Sequence, residues 1–364
     1  LIASKPVHSP LEKEDLELML NARPDVWEEL AHARIFLTGA TGFFGKWLLS
    51  AFQYAFENGK FSGQLVALSR NPDRFLDEFP IFKNLPYLAF IQGDVQDFKF
   101  PEGHFDFVIH AATEASVSLN LEEPLHMFEV AAIATRRVLD FAVKSKAKRF
   151  LLTSSGAVYG NQPSEITHLA ETYSGAPDVL APNAAYGEGK RVAEMFCNFY
   201  SKQYGIEVII ARCYAFAGPY LPIDSHFAIG NFVRDYLQGG PIGIGGDGSP
   251  YRSYLYAADL VVWLLTTLVK GKSCQAYNLG SDQDLDIEAL ARKVASFGDK
   301  NVKVEIALVR NPEKPVARYV PSVEKAKKEL GLEIYTPLEK SISRMIRFFA
   351  PKFSTNTQLI PENQ

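Results

Sequence analysis

Three glycines at a spacing of three, Gly39, Gly42 and Gly45, follow directly on an apolar run in "RIFLTGATGFFGKWLL" (34–49). Residues 34–37 read as a buried strand and 46–49 as the opening of a helix. A chain that turns sharply from strand to helix needs residues that tolerate unusual backbone angles. It also needs bare backbone wherever an anion approaches the helix N-terminus, whose unpaired N–H groups and dipole favour negative charge. The spacing is GxxGxxG rather than the simplest dinucleotide fingerprint, GxGxxG. On its own it fits a pyrophosphate cradle or a ligand-free turn. The rest of the chain decides.

Further strands read at 63–70, 87–95, 105–113, 148–160 and 206–216, with helical patterns between most of them, notably at 124–145 and 186–204. Strands alternating with helices imply right-handed crossovers and a parallel sheet covered on both faces. The expected fold is therefore a doubly wound α/β domain of Rossmann type, binding ligands at the carboxyl ends of its strands. This domain is expected over 34–214 plus about 255–282, the last stretch returning through "AYNLGS" (276–281). Residues 1–33 hold two short amphipathic helical patterns interrupted at Pro24, an N-terminal helical extension. Residues 215–254, rich in glycine, proline and aromatics, join 283–350 as a smaller, discontinuous substrate region. Residues 351–364 read as a polar tail.

The formal net charge of −4 offers no basic footprint for nucleic acid. No apolar stretch approaches the length of a membrane span, and 260–269 reads as a core helix. The start lacks the charged-then-apolar order of a secretory signal, and the sparse cysteines make a reducing cytoplasm the expectation. Cys197, Cys213 and Cys274 are few, odd in number and far apart, so neither a disulfide framework nor a metal site is expected.

The chemistry sits in "AAYGEGKRVAE", where Tyr186 and Lys190 lie four apart and share a helix face. Ser155 falls at a strand end in "LLTSSGAVYG". Together over a dinucleotide, these three form a hydride-transfer site for an alcohol or ketone. Tyr186 is the general base for the hydroxyl proton, and Ser155 hydrogen-bonds the substrate oxygen. A free phenol has a pKa near ~10, so work near neutrality requires stabilising the phenolate by roughly 4 kcal/mol. Lys190 and an oxidised nicotinamide can provide that field.

These stretches, with "GDV" (93–95), "VIHAAT" (108–113), "GDGSPYRSYLYAADL" and "VEKAKKELG", resemble the extended short-chain dehydrogenases/reductases. The resemblance is to their nucleotide-sugar epimerase/dehydratase branch and runs from Thr38 to Gly331. Within that branch, "YGEGKRVAE" followed by "KQYGIEVIIAR" is most similar to UDP-glucuronate decarboxylases and sugar-nucleotide 4,6-dehydratases. The resemblance implies a nucleotide-diphosphate sugar as substrate and a homodimer paired through the helices at 124–145 and 186–204. It places Gly39, Gly42, Phe43, Phe44 and Gly45 along the pyrophosphate, and Asp94 and Val95 beside the adenine. Ala111, Ala112 and Thr113 would follow the middle of the cofactor, which Tyr186 and Lys190 also touch. Glu114, Asn231 and Arg252 would face the sugar nucleotide.

The departures narrow the reaction. Dehydratases of this group carry an Asp-Glu pair, and decarboxylases a Glu, immediately after the catalytic Ser or Thr. This chain has Gly156 and Ala157 there, which cannot transfer protons. Ala215 and Ala131 stand where asparagine is usual. The pattern favours chemistry confined to sugar C4, a 4-epimerase or 4-ketoreductase. A 4,6-dehydratase or UDP-glucuronate decarboxylase-like enzyme is the alternative, with Glu114 able to substitute from another wall. A non-catalytic dinucleotide sensor is the rival of another class, though a sensor has no need of Ser155, Tyr186 and Lys190. At the end of the second strand, Ser69-Arg70 replaces the acidic residue that usually meets the ribose of NAD, so NADP is favoured over NAD.

Overall fold

The structure is a computed structural model that describes residues 9–112, 117–298 and 302–354. Seven of the apolar runs pair into one sheet. They are β1 (Arg34–Thr38), β2 (Gln64–Ser69), β3 (Leu88–Gln92), β4 (Phe107–His110), β5 (Arg149–Ser155), β6 (Glu207–Cys213) and β7 (Gln275–Leu279). Their order is β7-β6-β5-β4-β1-β2-β3 and every neighbouring pair is parallel. The chain therefore winds outward in one direction through β2 and β3, and in the other through β4 to β7. The switch point lies between β1 and β4, directly above the glycine turn.

Successive side chains of β1 go to opposite layers: Ile35 and Leu37 into one core cluster, Phe36 into the other. The first layer holds α1 (Lys13–Asn21), α2 (Pro24–Leu30) and α3 (Phe43–Glu57). Pro24 opens α2 at a position whose N–H has no intrahelical partner, so it starts a helix rather than breaking one. Met19, Trp27 and Leu30 are buried there, with Trp27 edge-on to Phe52 at 5.3 Å. The second layer holds α4 (Ala134–Lys144) and α5 (Ala184–Tyr204). The apolar run at 260–269 lies within α6 (Ala257–Lys270), buried on nearly every face in the first layer. Among the described residues, no helix is long and apolar enough to cross a membrane.

Two differences from the sequence reading have local causes. The strand read over 148–160 stops at Ser155, because the Ser155 hydroxyl accepts the Ala157 N–H at 3.1 Å and turns the chain into a 3-10 segment, Gly156–Tyr159. The final helix, α7 (Leu338–Ser354), continues past residue 350, where a polar tail was expected. Its stripe of Ile342, Met345, Ile346 and Phe349 carries on to Phe353, so packing holds the helix together beyond Pro351. The remaining C-terminal segments form a three-stranded sheet of Asp284–Asp286, Tyr251–Ser253 and Arg318–Tyr319, together with two short parallel pairs. An ion pair of Arg344 on α7 with the buried Asp15 on α1 ties the two ends of the chain together, and the Tyr256 hydroxyl donates to the same carboxylate at 2.7 Å.

Candidate active site

The glycine turn is dictated by close backbone approach. Gly39 has φ +72°, and a Cβ there would stand 2.4 Å from the Ala111 carbonyl oxygen at the end of β4. A Cβ on Gly45 would stand 2.2 Å from the Ala40 oxygen, so that glycine lets α3 pack onto the turn. Gly42 differs. It is exposed at the start of α3, and the nearest atom to its missing Cβ is the Gly39 oxygen at 3.4 Å. Fold geometry demands Gly39 and Gly45, whereas Gly42 leaves bare backbone at a helix N-terminus, the feature a pyrophosphate needs.

Beneath the turn lies a closed hydrogen-bond network. Thr135 donates to the Ala131 oxygen at 2.8 Å, so toward His110 Nε2, at 3.0 Å, it accepts. That assigns the proton to Nε2 and leaves Nδ1 to accept from Thr38 Oγ1 at 2.8 Å. Thr38 Oγ1 in turn accepts the N–H groups of Ala111 and Ala112, each at 3.2 Å. Burial, then the nearby Lys190 charge, pushes His110 down to about 3, so the imidazole is neutral. The network fixes the β4 end against β1.

Ser155, Tyr186 and Lys190 converge at the end of β5. Asn120 holds the start of α5: its Oδ1 accepts the Tyr186 N–H at 3.0 Å and its Nδ2 donates to the Asn183 oxygen at 2.8 Å. Gly189 lets α5 approach closely, since its Cβ would lie 2.8 Å from that of Ala131. Lys190, 2% exposed, donates from Nζ to the Thr153 carbonyl at 2.7 Å and lies 6.0 Å from the Tyr186 ring centre. Burial lowers Lys190 to about 8, still a cation at neutral pH. Burial also pushes the Tyr186 phenol up to about 12, opposed by a hydrogen bond with Ser155. Behind the strand end, Ser154 donates to Glu194 Oε1 at 2.6 Å and Arg212 pairs with the same carboxylate at 2.6 Å.

The space beside Ser155 is filled by aromatic rings. A Cβ on Gly156 would meet Tyr214 Cζ at 2.7 Å and the Tyr319 hydroxyl at 2.8 Å. The Tyr319 ring packs against Tyr214, 4.6 Å between centres and tilted by 35°, and its hydroxyl lies 3.4 Å from Ser155 Oγ. Arg252 sits on the strand paired with Arg318–Tyr319, its guanidinium 6.0 Å from the Tyr319 ring centre, and so joins the site. Asn231 lies in the helix Ala228–Leu237, where its Oδ1 accepts from Arg234 at 3.1 Å. Ser69 is buried at the end of β2 and accepts the Asn71 N–H at 3.2 Å, with Arg70 exposed beside it. Asp94 turns the chain by accepting the Gln96 N–H at 2.9 Å, while Val95 belongs to the second core cluster. Phe43 and Phe44 are half-buried, Phe44 edge-on to Phe216 at 5.1 Å. Thr113 and Glu114 lie outside the described residues. Tyr319 and Asn120 carry no local sequence signal and are found only from the fold.

Residues 35–280 match the family described as the NAD dependent epimerase/dehydratase family. The chain belongs to that family. It is 30% identical to UDP-glucuronic acid decarboxylase 1 of Xenopus tropicalis over 336 residues, 90% of this chain and 75% of the relative. In fold it is similar to the UDP-glucose 4-epimerase of Thermotoga maritima, with TM-score 0.71, 22% identity and coverage of 88% of this chain and 99% of that one. It is likewise similar to the dTDP-glucose 4,6-dehydratase of Streptomyces venezuelae, solved with NAD bound, with TM-score 0.72, 22% identity and coverage of 88% and 98%. Family membership and the parallel sheet agree with the resemblance read from the motifs.

Proposed function

We propose that this family member moves hydride at C4 of a nucleotide-diphosphate sugar, as a 4-epimerase or 4-ketoreductase. One observation carries the reading. Ser155, Tyr186 and Lys190 converge at a strand end, and the neighbouring position, Gly156, is packed under Tyr214 and Tyr319 with no carboxylate. The glycine turn, the bare Gly42 and the N-terminus of α3 suit a dinucleotide pyrophosphate. When bound, the dinucleotide supplies the hydride acceptor and donor and, in its oxidised form, a positive charge near the phenol.

The chain's own residues handle the proton. Tyr186 Oη takes it from the C4 hydroxyl on oxidation and returns it on reduction, while Ser155 donates a hydrogen bond to the C4 oxygen. Bringing Tyr186 from about 12 to neutrality takes roughly 7 kcal/mol at about 1.4 kcal/mol per unit. The Lys190 cation, 6.0 Å from the ring centre, already stands in the environment that gives this value, so the remaining stabilisation has to come from the loaded site.

A second reading, decarboxylation of a UDP-uronate, is favoured by the 30% identity to UDP-glucuronic acid decarboxylase 1. Once C4 is a ketone, a carboxylate on C5 can leave as carbon dioxide with its electron pair delocalised onto the C4 oxygen. That step needs no base at position 156. Incubation with UDP-glucose, UDP-galactose, UDP-glucuronate and a 4-keto sugar nucleotide, with products identified by mass spectrometry and NMR, tests both. Inversion or reduction at C4 supports the first reading, and carbon dioxide release the second.

Arg70 at the end of β2 supports NADP over NAD for this chain. Exposed Leu125, Ile133, Met195 and Phe199 lie along the helical segments 124–144 and α5, which supports a homodimer through these helices. Light scattering tests that pairing. Three free cysteines support a reducing, cytoplasmic setting.

A further inference from the structure

We propose that Tyr319 is a positioning residue that sets the direction of the Ser155 hydroxyl proton. The proposal rests on the reading of Ser155 as donor to the C4 oxygen. Hydrogen-bond inventory carries the argument. Ser155 Oγ has one proton and two lone pairs, and one lone pair accepts the Ala157 N–H at 3.1 Å. The Tyr319 hydroxyl faces two acceptors, Ser155 Oγ at 3.4 Å and the Cys213 carbonyl at 3.5 Å. When Tyr319 donates to Cys213, Ser155 can spend its proton on Tyr319. When Tyr319 donates to Ser155, both serine lone pairs are occupied, and the serine proton is left for Tyr186, with which Ser155 also shares a hydrogen bond, or for the substrate oxygen once C4 is bound.

The tyrosine is held for this task. Its ring packs against that of Tyr214, and its hydroxyl occupies the space that any side chain at position 156 would claim. Both of its contacts are at the long end for a hydroxyl, and the one to Ser155 is the shorter of the two. Burial raises its own pKa, so Tyr319 keeps its proton and does not compete with Tyr186 as a base. The glycine at 156 acquires a reason: it gives up a side chain next to Ser155 and admits a hydroxyl from a strand far along the chain.

Tyr319→Phe removes the hydroxyl and keeps the ring packed against Tyr214. With a sugar nucleotide that the enzyme turns over, kcat should fall about tenfold while KM stays within about twofold, as expected for loss of one orienting hydrogen bond. Without that donor, Ser155 can accept from the neutral Tyr186 phenol. The acidic limb of the pH–rate profile should then move up by roughly half a unit, which loss of packing alone does not produce. In a Ser155→Ala background, Tyr319→Phe should have no further effect on kcat, because Tyr319 acts through Ser155. Unchanged kcat and pH limb in Tyr319→Phe, or an equal loss in both backgrounds, overturns the proposal while an impaired Ser155→Ala leaves the site reading intact. Full turnover by Ser155→Ala, or no turnover of any sugar nucleotide, removes that reading and the proposal with it. Thermal melting of each variant guards against misfolding, and Tyr319→Leu repeats the test if the Phe variant does not fold.

Discussion

The Lys190 ammonium donates to the Thr153 carbonyl at 2.7 Å, two residues before Ser155 on the same strand. This bond clips α5 to β5 and thereby fixes Tyr186, one helical turn earlier, against Ser155. Tyr186→Phe leaves the clip untouched. Its melting temperature and dinucleotide affinity should therefore match the wild type, while turnover falls by about 100-fold or more with loss of the proton acceptor. A variant keeping most of its turnover would remove Tyr186 from the role of base.

The three glycines separate fold from ligand. Gly39→Ala meets both a positive φ and a carbonyl oxygen 2.4 Å away, so unfolding should be easier by roughly 2–4 kcal/mol. Gly42→Ala meets nothing closer than 3.4 Å and should change stability by less than about 1 kcal/mol. It should nonetheless weaken dinucleotide binding about tenfold or more, because the new methyl group stands where bare backbone faces the ligand. Urea unfolding and cofactor titration on both variants read this out, and a Gly42→Ala protein with wild-type cofactor affinity contradicts the cradle.

What the sequence revealed follows from how local each signal is. β1, the turn and α3 lie within one continuous stretch, and Tyr186 and Lys190 share one turn of one helix, so pattern alone finds them. Tyr319 meets Ser155 across 164 residues, delivered by pairing of the strand Arg318–Tyr319 with Tyr251–Ser253, and no local period announces it. Asn120 likewise caps a helix that begins long after it, and only the fold brings them together. Asn231 came only from the resemblance, and its bond from Arg234, three residues on along the same helix, becomes visible once that helix is built. The expected tail misled over its first residues: polar residues around Lys352 hide Phe353, which extends the buried stripe of α7.

His110 makes the fold acid-sensitive. Its folded value of about 3 lies below the ordinary value of 6.5, so between these the unfolded chain binds a proton that the native one refuses. Stability present above pH 6.5 should therefore be lost as pH falls toward 3, by up to about 1.4 kcal/mol per unit from this group. His110→Gln removes the titration and is less stable at neutral pH. The gap between wild type and variant should close as pH drops from 6.5 to 4.5 in denaturant titrations. Parallel curves would show that His110 is not the group responsible.

If Arg70 meets the 2′-phosphate, Arg70→Ala loses a charge-assisted contact that only NADP makes. NADP affinity should fall about tenfold, with NAD affinity changed less than about twofold, measured by fluorescence titration. Equal weakening of both, or wild-type preference for NAD, refutes the choice of NADP.

The reaction type can be read from one hydrogen. Dehydration across C5 and C6 requires a base for the C5 proton and an acid for the departing hydroxyl, and decarboxylation leaves an electron pair at C5 that must take a proton. In both, a solvent hydrogen ends at C5. Epimerisation or reduction at C4 never breaks a bond to C5. Gly156 and Ala157 supply no acid or base, Tyr186 is occupied with the C4 proton, and Tyr319 holds its own proton too tightly to give it up. Turnover in deuterated water should therefore give product without deuterium at C5, from UDP-, dTDP-, GDP- or CDP-hexoses alike, and no 4-keto-6-deoxy sugar. Deuterium at C5 with loss of water or carbon dioxide would reverse the ranking of the two readings. It would also require a proton donor at C5 from a wall of the pocket other than the strand end that carries Ser155.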